Sequence, residues 1–266
     1  STHQLTYDLG IHVVGSLPLV HKRRLLPNPV YNGSVPDDIR AVLHESVDNI
    51  RTTLIHRAKK DGLKVVMVTS GVAREGKSTV ASQLAASLAR AGRKTVLIDG
   101  DLRRPRMHRV LKQDLAPGLS EYLRGEAALE EIVRETDRDN LWLIPAGRCD
   151  TEALQALARS DPERLFEVLR REFDFVVVDT SPLLTAADSL AVGRFMDGVL
   201  LSVIRDNSRL PLLLEAYQRL EEVELPLLGV VVNGGPAGRY RSYYRAYTID
   251  VESREPKTAP RQPVGK

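Results

Sequence analysis

The chain has 266 residues, of which 42% are hydrophobic and 27% charged, a composition typical of a globular protein with a sizeable core. Its 38 basic and 35 acidic residues leave a net charge of +3, too small to indicate a nucleic-acid partner. The single cysteine, Cys149, excludes an internal disulfide framework and a multi-cysteine zinc site. No apolar run approaches the ~20 residues of a membrane-spanning helix.

Residues 1–36 contain scattered glycines and prolines without a long periodic stretch, which predicts an irregular leader. The basic run His21-Lys22-Arg23-Arg24 is either a solvated loop or a membrane-proximal segment attracted to anionic headgroups. The chain begins with Ser1 rather than Met, which suggests a processed chain or a piece of a longer one. The leader is thus predicted to be irregular, either as a solvated loop or as a juxtamembrane-like segment.

A helix is predicted to begin at Pro36-Asp37-Asp38 and to end near Asp61-Gly62. Apolar residues at helical spacing form one stripe along it: Ile39, Val42, Leu43, Val47, Ile50 and Leu54. Glu45, Asp48 and Arg51 fall on the opposite side, which we expect to face solvent.

From residue 64 onward, apolar strands alternate with helices. The predicted strands cover residues 64–69, 95–98, 141–144, 175–178, 198–203 and 228–232. The predicted helices cover 77–90, 151–158, 162–172, 186–195 and 208–222, with short helices across 105–138. This order predicts an α/β fold, with a mostly parallel, doubly wound sheet and helices on both faces. Residues 248–266 are polar and contain prolines, so we expect a disordered tail.

A phosphate-binding loop is indicated by Gly71-Val72-Ala73-Arg74-Glu75-Gly76-Lys77-Ser78, which matches G-x-x-x-x-G-K-[ST] between a strand and a helix. The glycines let the backbone curl until its N–H groups point at phosphate oxygens, and the helix dipole adds to the attraction. Lys77 would reach the β- and γ-phosphates, and Ser78 would offer its hydroxyl to Mg²⁺. We therefore expect P-loop NTPase chemistry with ATP and Mg²⁺, the nucleotide contacts being Gly71, Arg74, Glu75, Gly76, Lys77, Ser78 and Thr79.

Carboxylates follow two of the predicted strands. Asp99 and Asp101 end one strand, and Asp179 ends another in Val178-Asp179-Thr180-Ser181-Pro182. Ligands of open parallel sheets bind outside the carboxyl ends of the strands, so all three side chains are expected near the phosphate loop. A bound Mg²⁺ would offset the cost of burying them. Taken singly, each aspartate could also be a helix cap or a solvated loop residue.

The pattern hydrophobic-D-x-D-x-R at residues 98–103, followed by hydrophobic-D-x-x-P at 178–182, resembles the second and third nucleotide motifs of bacterial tyrosine kinases. These kinases belong to the wider group of ParA/MinD-like P-loop ATPases, and the likeness covers about residues 37–247. The ParA/MinD cell-positioning branch usually has an extra lysine near the start of its phosphate loop. Val72, Ala73 and Arg74 occupy that stretch here, which favours the kinase branch.

The resemblance implies an ATP-dependent protein-tyrosine kinase. In this interpretation Ser78, Asp101 and Asp179 hold Mg²⁺, the aspartates through water. Asp99 accepts or orients the proton of the acceptor hydroxyl, although Asp99 and Asp101 could exchange roles. Arg103 either neutralises charge or pairs with a loop carboxylate. Asn233, at the end of the last strand, either reads adenine or is a turn residue before two glycines.

Four of the chain's eight tyrosines lie within eight residues near the end of the kinase-like region: Tyr240, Tyr243, Tyr244 and Tyr247. The segment has no apolar periodicity that would bury the rings, although a packed aromatic patch or an interaction surface is an alternative interpretation. The resemblance implies that these tyrosines accept the phosphoryl group, in trans within an oligomer. Each phosphate would add about −1.5 to −2 charges, which Arg239, Arg241 and Arg245 would partly offset.

Two further stretches bear on assembly. Glu45-x-x-Asp48-x-x-Arg51 resembles the family's E-x-x-R-x-x-R ring motif, with Glu45 and Arg51 matching and Asp48 reversing the central charge; a solvated helix face is the alternative. Residues 9–18 are similar to the stretch before the kinase domain when it is fused to a polysaccharide chain-length regulator. The resemblance implies a homo-oligomer, as a ring or as another assembly because of Asp48. It also implies a membrane regulator as fused or separate partner, and a place on the cytoplasmic face of the bacterial plasma membrane.

Three functions remain open from the sequence. The first is a tyrosine autokinase that regulates polysaccharide chain length or export. The second is a ParA/MinD-like ATPase switch, in which water is the acceptor. The third is a non-catalytic nucleotide-binding scaffold, against which Lys77 and the three aspartates argue.

Overall fold

The computed structural model describes residues 11–18, 37–158, 162–186 and 188–235. The strands are β1 Val13–Pro18, β2 Val65–Ser70, β3 Thr95–Gly100, β4 Arg134–Glu135, β5 Leu141–Ile144, β6 Phe175–Thr180, β7 Gly198–Ile204 and β8 Leu227–Gly235. The helices are α1 Asp37–Asp61, α2 Lys77–Arg90, α3 Met107–Val110, α4 Leu119–Leu123, α5 Leu129–Ile132, α6 Thr151–Ala158, α7 Pro162–Glu172, α8 Asp188–Gly193 and α9 Leu210–Glu222. The basic run 21–24, the tyrosine cluster 240–247 and the tail 248–266 lie outside the described residues.

The described strands form one sheet in the order β1-β8-β7-β2-β6-β3-β5-β4. Every pairing is parallel except that of the short β4 with β5, which is antiparallel. The central strands β2 and β6 are buried along their whole length, as expected of a sheet covered on both faces. The predicted α/β fold is confirmed.

Two hydrophobic cores lie on opposite faces of the sheet. On one face, α1 and α2 contribute Leu43, Ile50 and Leu84, which pack with alternate strand residues such as Val66 and Val177. On the other face, the core includes α7 and α9, together with the intervening strand residues. Because neighbouring strand residues point to opposite faces, one buried strand serves both cores. This packing fixes the position of α2 against the sheet. It therefore also positions the loop that connects β2 to α2.

Most predicted elements begin and end close to the observed ones. The helix bounds 77–90, 151–158 and 162–172 are as predicted, whereas α8 is shorter than the predicted helix 186–195. Residues 105–138 contain α3, α4 and α5, and also the short strand β4. Within the described ranges, no helix has the length and apolar character needed to traverse a lipid bilayer.

The prediction of an irregular leader over residues 1–36 is wrong for residues 13–18, which form β1. This strand pairs in parallel with β8, with Leu17 opposite Asn233. A Cβ at Gly15 would lie 2.5 Å from Cγ1 of Ile50, so glycine is what lets α1 lie against the strand. The glycine and proline that suggested a loop are therefore accommodated in an edge strand, where both are tolerated.

Candidate active site

The phosphate loop connects the end of β2 to the first turn of α2. Its curl is visible at Arg74 and Gly76, whose φ angles are 72° and 86°. A Cβ at Gly76 would also lie 2.7 Å from Nδ2 of Asn233. Both the left-handed backbone and the close approach of a side chain therefore require glycine at this position.

A buried glutamate supports the loop from within. The Glu75 carboxylate accepts hydrogen bonds from the Val72 backbone N–H at 3.0 Å and from the Ser208 hydroxyl. The Glu75 carbonyl accepts from Ser202 Oγ at 2.7 Å and from Asn233 Nδ2 at 3.0 Å. Glu75 was predicted among the nucleotide contacts, but its side chain is engaged inside the loop, so any such contact falls to its backbone.

Asn233 lies at the carboxyl end of β8, directly beside the loop. Besides its bond to Glu75, its Nδ2 lies 2.8 Å from Ser202 Oγ and 3.3 Å from the Val203 carbonyl oxygen. The side-chain nitrogen thus ties β8 and β7 to the phosphate loop. The reading of adenine by Asn233 stays a prediction.

The Lys77 side chain contacts two carboxylates, one just after β3 and one in the neighbouring strand β6. Its Nζ lies 2.8 Å from Asp101 Oδ2, 3.4 Å from Asp179 Oδ1 and 3.3 Å from Ser78 Oγ. Burial alone would lower the pKa of Lys77, but Asp179 and Asp101 outweigh it and raise that pKa. Lys77 is therefore a buried ammonium with two counter-charges.

Asp99 and Asp179 are paired in register on β3 and β6, and neither is exposed to solvent. Asp99 Oδ2 accepts from the backbone N–H groups of Arg106 and Met107, each at 2.8 Å. Burial, and after it the Asp179 charge, raises the pKa of Asp99 to about 7. The hydrogen bonds from the two N–H groups oppose this change by lowering that pKa. Burial also raises the pKa of Asp179, although Lys77 opposes the change.

Asp101 follows β3 and is held on both of its oxygens. While Oδ2 contacts Lys77, Oδ1 accepts from Ser181 Oγ at 3.0 Å and from the Arg104 N–H at 3.2 Å. The three aspartates expected from the sequence thus cluster near the Lys77 ammonium. Asp101 and Asp179 touch it directly, whereas Asp99 adjoins it through Asp179.

A cavity of about 290 Å³ opens above this cluster. Its lining comprises phosphate-loop residues, Lys77, Ser78, Thr79, Asp101, Arg103, Arg104, Arg106, Ser181, Pro182, Thr185 and Ala186. Arg74, Arg103 and Arg104 are exposed at its rim, a charge arrangement that attracts anions. Sequence reasoning missed Arg104, Arg106 and Ser181, for which the signals were the arginine-rich stretch after Asp101 and the serine after Thr180.

The residues present fit a Mg²⁺ ion that shares its ligands with a nucleotide. Asp99 Oδ1 and Asp179 Oδ2 are buried without a hydrogen-bond partner among the described residues. Across that same part of the chain, no group of three or more His, Cys, Asp or Glu side chains could hold a metal alone. Mg²⁺ prefers one or two carboxylates completed by water and phosphate oxygens, so Ser78 and Asp179 suit it.

The helix face that resembles the ring motif is partly engaged within the chain. Glu45 is exposed, but Arg51 Nη1 lies 2.8 Å from Asp48 Oδ1 and 3.2 Å from Ser87 Oγ. Asp48 also contacts Arg90 at 3.0 Å. The charge reversal at Asp48 therefore has a local explanation: it neutralises two arginines of its own chain.

Comparison of the sequence with known proteins identifies relatives of this chain. A family model described as an AAA domain matches residues 64–205. Putative tyrosine-protein kinase CapB of Staphylococcus aureus is 27% identical, over 86% of this chain and 99% of its own length. Tyrosine-protein kinase CpsD of Streptococcus pneumoniae is 34% identical, over 65% of this chain and 77% of its own. Tyrosine-protein kinase ptk of Acinetobacter johnsonii is 32% identical, over 87% of this chain but only 32% of its own.

Solved structures give the same result. The kinase domain of Escherichia coli tyrosine kinase ETK matches with a TM-score of 0.77 and 27% identity, over 88% of this chain and 94% of that one. MinD from Pyrococcus horikoshii, complexed with Mg-ADP, matches with a TM-score of 0.56 and 26% identity, over 64% and 70%. The kinase likeness extends over more of the chain than the MinD likeness. The chain thus belongs to the bacterial tyrosine kinases of the MinD-like P-loop group, and its activity is that of a protein-tyrosine kinase.

Proposed function

We propose that this kinase uses ATP and Mg²⁺ to phosphorylate the tyrosine cluster 240–247 of another copy of the same chain. The observation that carries the proposal is the contact of Lys77 with Asp101 and Asp179 on the floor of a basic-rimmed cavity. This set provides the positioning and charge neutralisation that phosphoryl transfer requires. The acceptor is supported by the density of tyrosines in that segment.

The phosphate loop and the two carboxylates beside Lys77 have proposed roles. Lys77 exchanges its carboxylate partners for the β- and γ-phosphate oxygens, while the backbone of Gly71, Arg74 and Gly76 and the side chain of Thr79 hold the remaining phosphates. Ser78, Asp101 and Asp179 would hold Mg²⁺, which when bound supplies positive charge beside the transferred phosphoryl group. Once Lys77 has turned to the phosphates, Asp101 and Asp179 would be free to hold the metal.

Burial separates the roles of Asp99, in β3, and Asp101, just after it. Asp101 lines the cavity, whereas Asp99 is fully buried and does not. We therefore assign direct contact with the reacting groups to Asp101, and a positioning role to Asp99. Asp99 fixes the backbone of Arg106 and Met107, and so shapes the wall that carries Arg103 and Arg104. Arg103 is proposed to neutralise charge at the rim.

The position of β8 supports the tyrosine cluster as the acceptor. Asn233 contacts the phosphate loop, so the chain leaves β8 at the edge of the sheet where the nucleotide would bind. The segment 236–247 continues from that edge. We propose that it reaches the cavity of a neighbouring copy, in an oligomer to which Glu45 and Arg51 contribute.

The cellular setting is proposed from the relatives. The chain spans about a third of ptk, whereas it spans nearly all of CapB, so the kinase part occurs in chains of very different length. We propose a membrane chain-length regulator of exopolysaccharide as its partner, fused or separate. The kinase would then act at the cytoplasmic face of the plasma membrane.

Incubation of the full chain with Mg-ATP, followed by phosphosite mapping by mass spectrometry, tests the proposal. We expect phosphotyrosine within residues 240–247 of the wild type and none in Lys77→Met. Lys59→Met, which removes an exposed lysine at the end of α1, should be labelled like the wild type. Release of inorganic phosphate without labelled tyrosine would instead indicate the MinD-like ATPase switch.

A further inference from the structure

A second basic cavity lies far from the nucleotide site. It measures about 510 Å³, and its lining includes Arg40 and His44 of α1, Arg90 of α2, and Arg138 in the β4–β5 connection. Asp139 is the acidic residue of the lining. Three guanidinium groups and an imidazole thus face one space, whose size is within the range of ligand-binding pockets.

The cavity is separate from the catalytic centre. Lys77 begins α2 and Arg90 ends it, so about 20 Å of helix lies between the two sites. Gly92 and Asn140 also line the cavity, and they lie just before β3 and β5. The second cavity therefore opens at the amino ends of the strands, whereas the phosphate loop is at their carboxyl ends.

The positive charges act on one another inside this space. Burial lowers the pKa of His44, and Arg90, Arg40 and Arg138 lower it further against the opposing effect of Asp48. Burial likewise lowers the pKa of Arg138, with Arg90 adding to the effect and Asp137 opposing it. Arg90 already contacts Asp48 at 3.0 Å, so a bound anion would chiefly offset the charges of Arg40 and Arg138.

We propose that this cavity binds a phosphorylated tyrosine of the segment 238–247, which lies outside the described residues. Arginine forks match phosphate oxygens in pairs, and a phosphomonoester of about −2 balances the net positive lining. The proposal rests on the proposed function, because that reaction produces the phosphotyrosine.

Charge makes the cavity selective for the modified segment. Residues 238–247 carry Arg239, Arg241 and Arg245 and no acidic residue, so the unmodified segment and the basic cavity repel each other. Two phosphates add about −3 to −4 charges to this segment, which cancels or reverses its positive charge, and a third makes it negative. The cavity would therefore capture the product of the reaction and not its substrate.

Fluorescence anisotropy with synthetic peptides of residues 238–248 tests this site. The protein is the full chain, treated with a tyrosine phosphatase and kept without nucleotide. We expect a peptide phosphorylated at Tyr243 and Tyr244 to bind at least tenfold more tightly than the unphosphorylated peptide. The double variant Arg40→Gln/Arg138→Gln should lose at least tenfold in affinity, whereas Arg171→Gln, an exposed arginine of α7, should bind normally.

Three results would overturn the proposal: equal binding of both peptides, unchanged affinity in the double variant, or displacement of the phosphopeptide by a non-hydrolysable ATP analogue, which would place it in the nucleotide cavity. A thermal unfolding curve like that of the wild type shows that the double variant is folded. Because the peptides are synthetic, the result does not depend on whether the chain phosphorylates itself. Failure of the proposed function and failure of this site are therefore distinguishable.

Discussion

Asp99 and Asp179 are paired in register on adjacent parallel strands, both fully buried, and each keeps one carboxylate oxygen without a hydrogen-bond partner among the described residues. Two carboxylates in this arrangement are unfavourable without a cation. Lys77 supplies one charge to Asp179. A metal ion and a nucleotide, bound as proposed above, would offset the remaining negative charge of this cluster.

The first prediction concerns pH. Burial and the neighbouring Asp179 charge raise the pKa of Asp99 to about 7 in the folded chain, against 3.8 for an unperturbed aspartate. Between these values the folded state keeps a proton that the unfolded state releases, so the free energy of unfolding falls as pH rises. The fall is at most roughly 4 kcal/mol and ends above pH about 7.

Urea unfolding without nucleotide, at several values from about pH 5 to about pH 8, measures this effect. Asp99→Asn keeps an oxygen for the N–H groups of Arg106 and Met107 but cannot ionise, so its stability should depend less on pH. Asp179 titrates in the same direction and leaves the variant some residual slope. Parallel curves for wild type and variant would show that Asp99 is ionised throughout.

The second prediction concerns the buried ammonium. Lys77→Met leaves Asp101 and Asp179 without their counter-charge, so we expect the free energy of unfolding at neutral pH to fall by about 3–5 kcal/mol. The double variant Lys77→Met/Asp179→Asn should recover part of that loss, because one buried carboxylate is then neutral. Chemical unfolding of the four members of this cycle gives the coupling energy. Strict additivity would contradict the ion pairs described above.

The third prediction compares two glycines with similar backbones. Gly76 and Gly92 have φ angles of 86° and 73°, but only a Cβ at Gly76 meets a neighbour, Asn233. Gly92→Ala should cost about 1–2 kcal/mol of stability and leave ATP binding intact. Gly76→Ala should weaken ATP binding more than about tenfold, since the loop must shift. Equal nucleotide affinities in an equilibrium binding assay would refute the tight packing of this loop.

The fourth prediction concerns the helix face of α1. Asp48→Arg removes the carboxylate shared by Arg51 and Arg90 and adds a third positive charge. Because all three side chains are partly exposed, we expect a loss of only about 1 kcal/mol in the free energy of unfolding. Glu45→Gln, on the same helix but exposed, should leave the free energy of unfolding unchanged. An equal loss in both variants would mean that the pairs of Asp48 contribute nothing specific.

The parts of this molecule that sequence reasoning found follow either from local patterning or from a general rule of sheet topology. The helix 77–90 and the strands around it follow from short-range patterning, and the approach of Asp101 and Asp179 to Lys77 follows from the rule for carboxyl ends of parallel strands. The parts it missed depend on long-range contacts. β1 exists because a distant strand, β8, pairs with it, and Glu75 turns inward because Ser208 lies opposite.

Transfer between chains is the central claim, and one mixing experiment tests it most directly. Isotopically heavy Lys77→Met chains are mixed with light chains that keep Lys77 but carry Tyr240→Phe, Tyr243→Phe, Tyr244→Phe and Tyr247→Phe. Mg-ATP is then added. We predict phosphotyrosine within residues 240–247 of the heavy chains, since only the light chains have Lys77 and only the heavy chains have the acceptors. Phosphate release with no phosphotyrosine on the heavy chains would contradict the account.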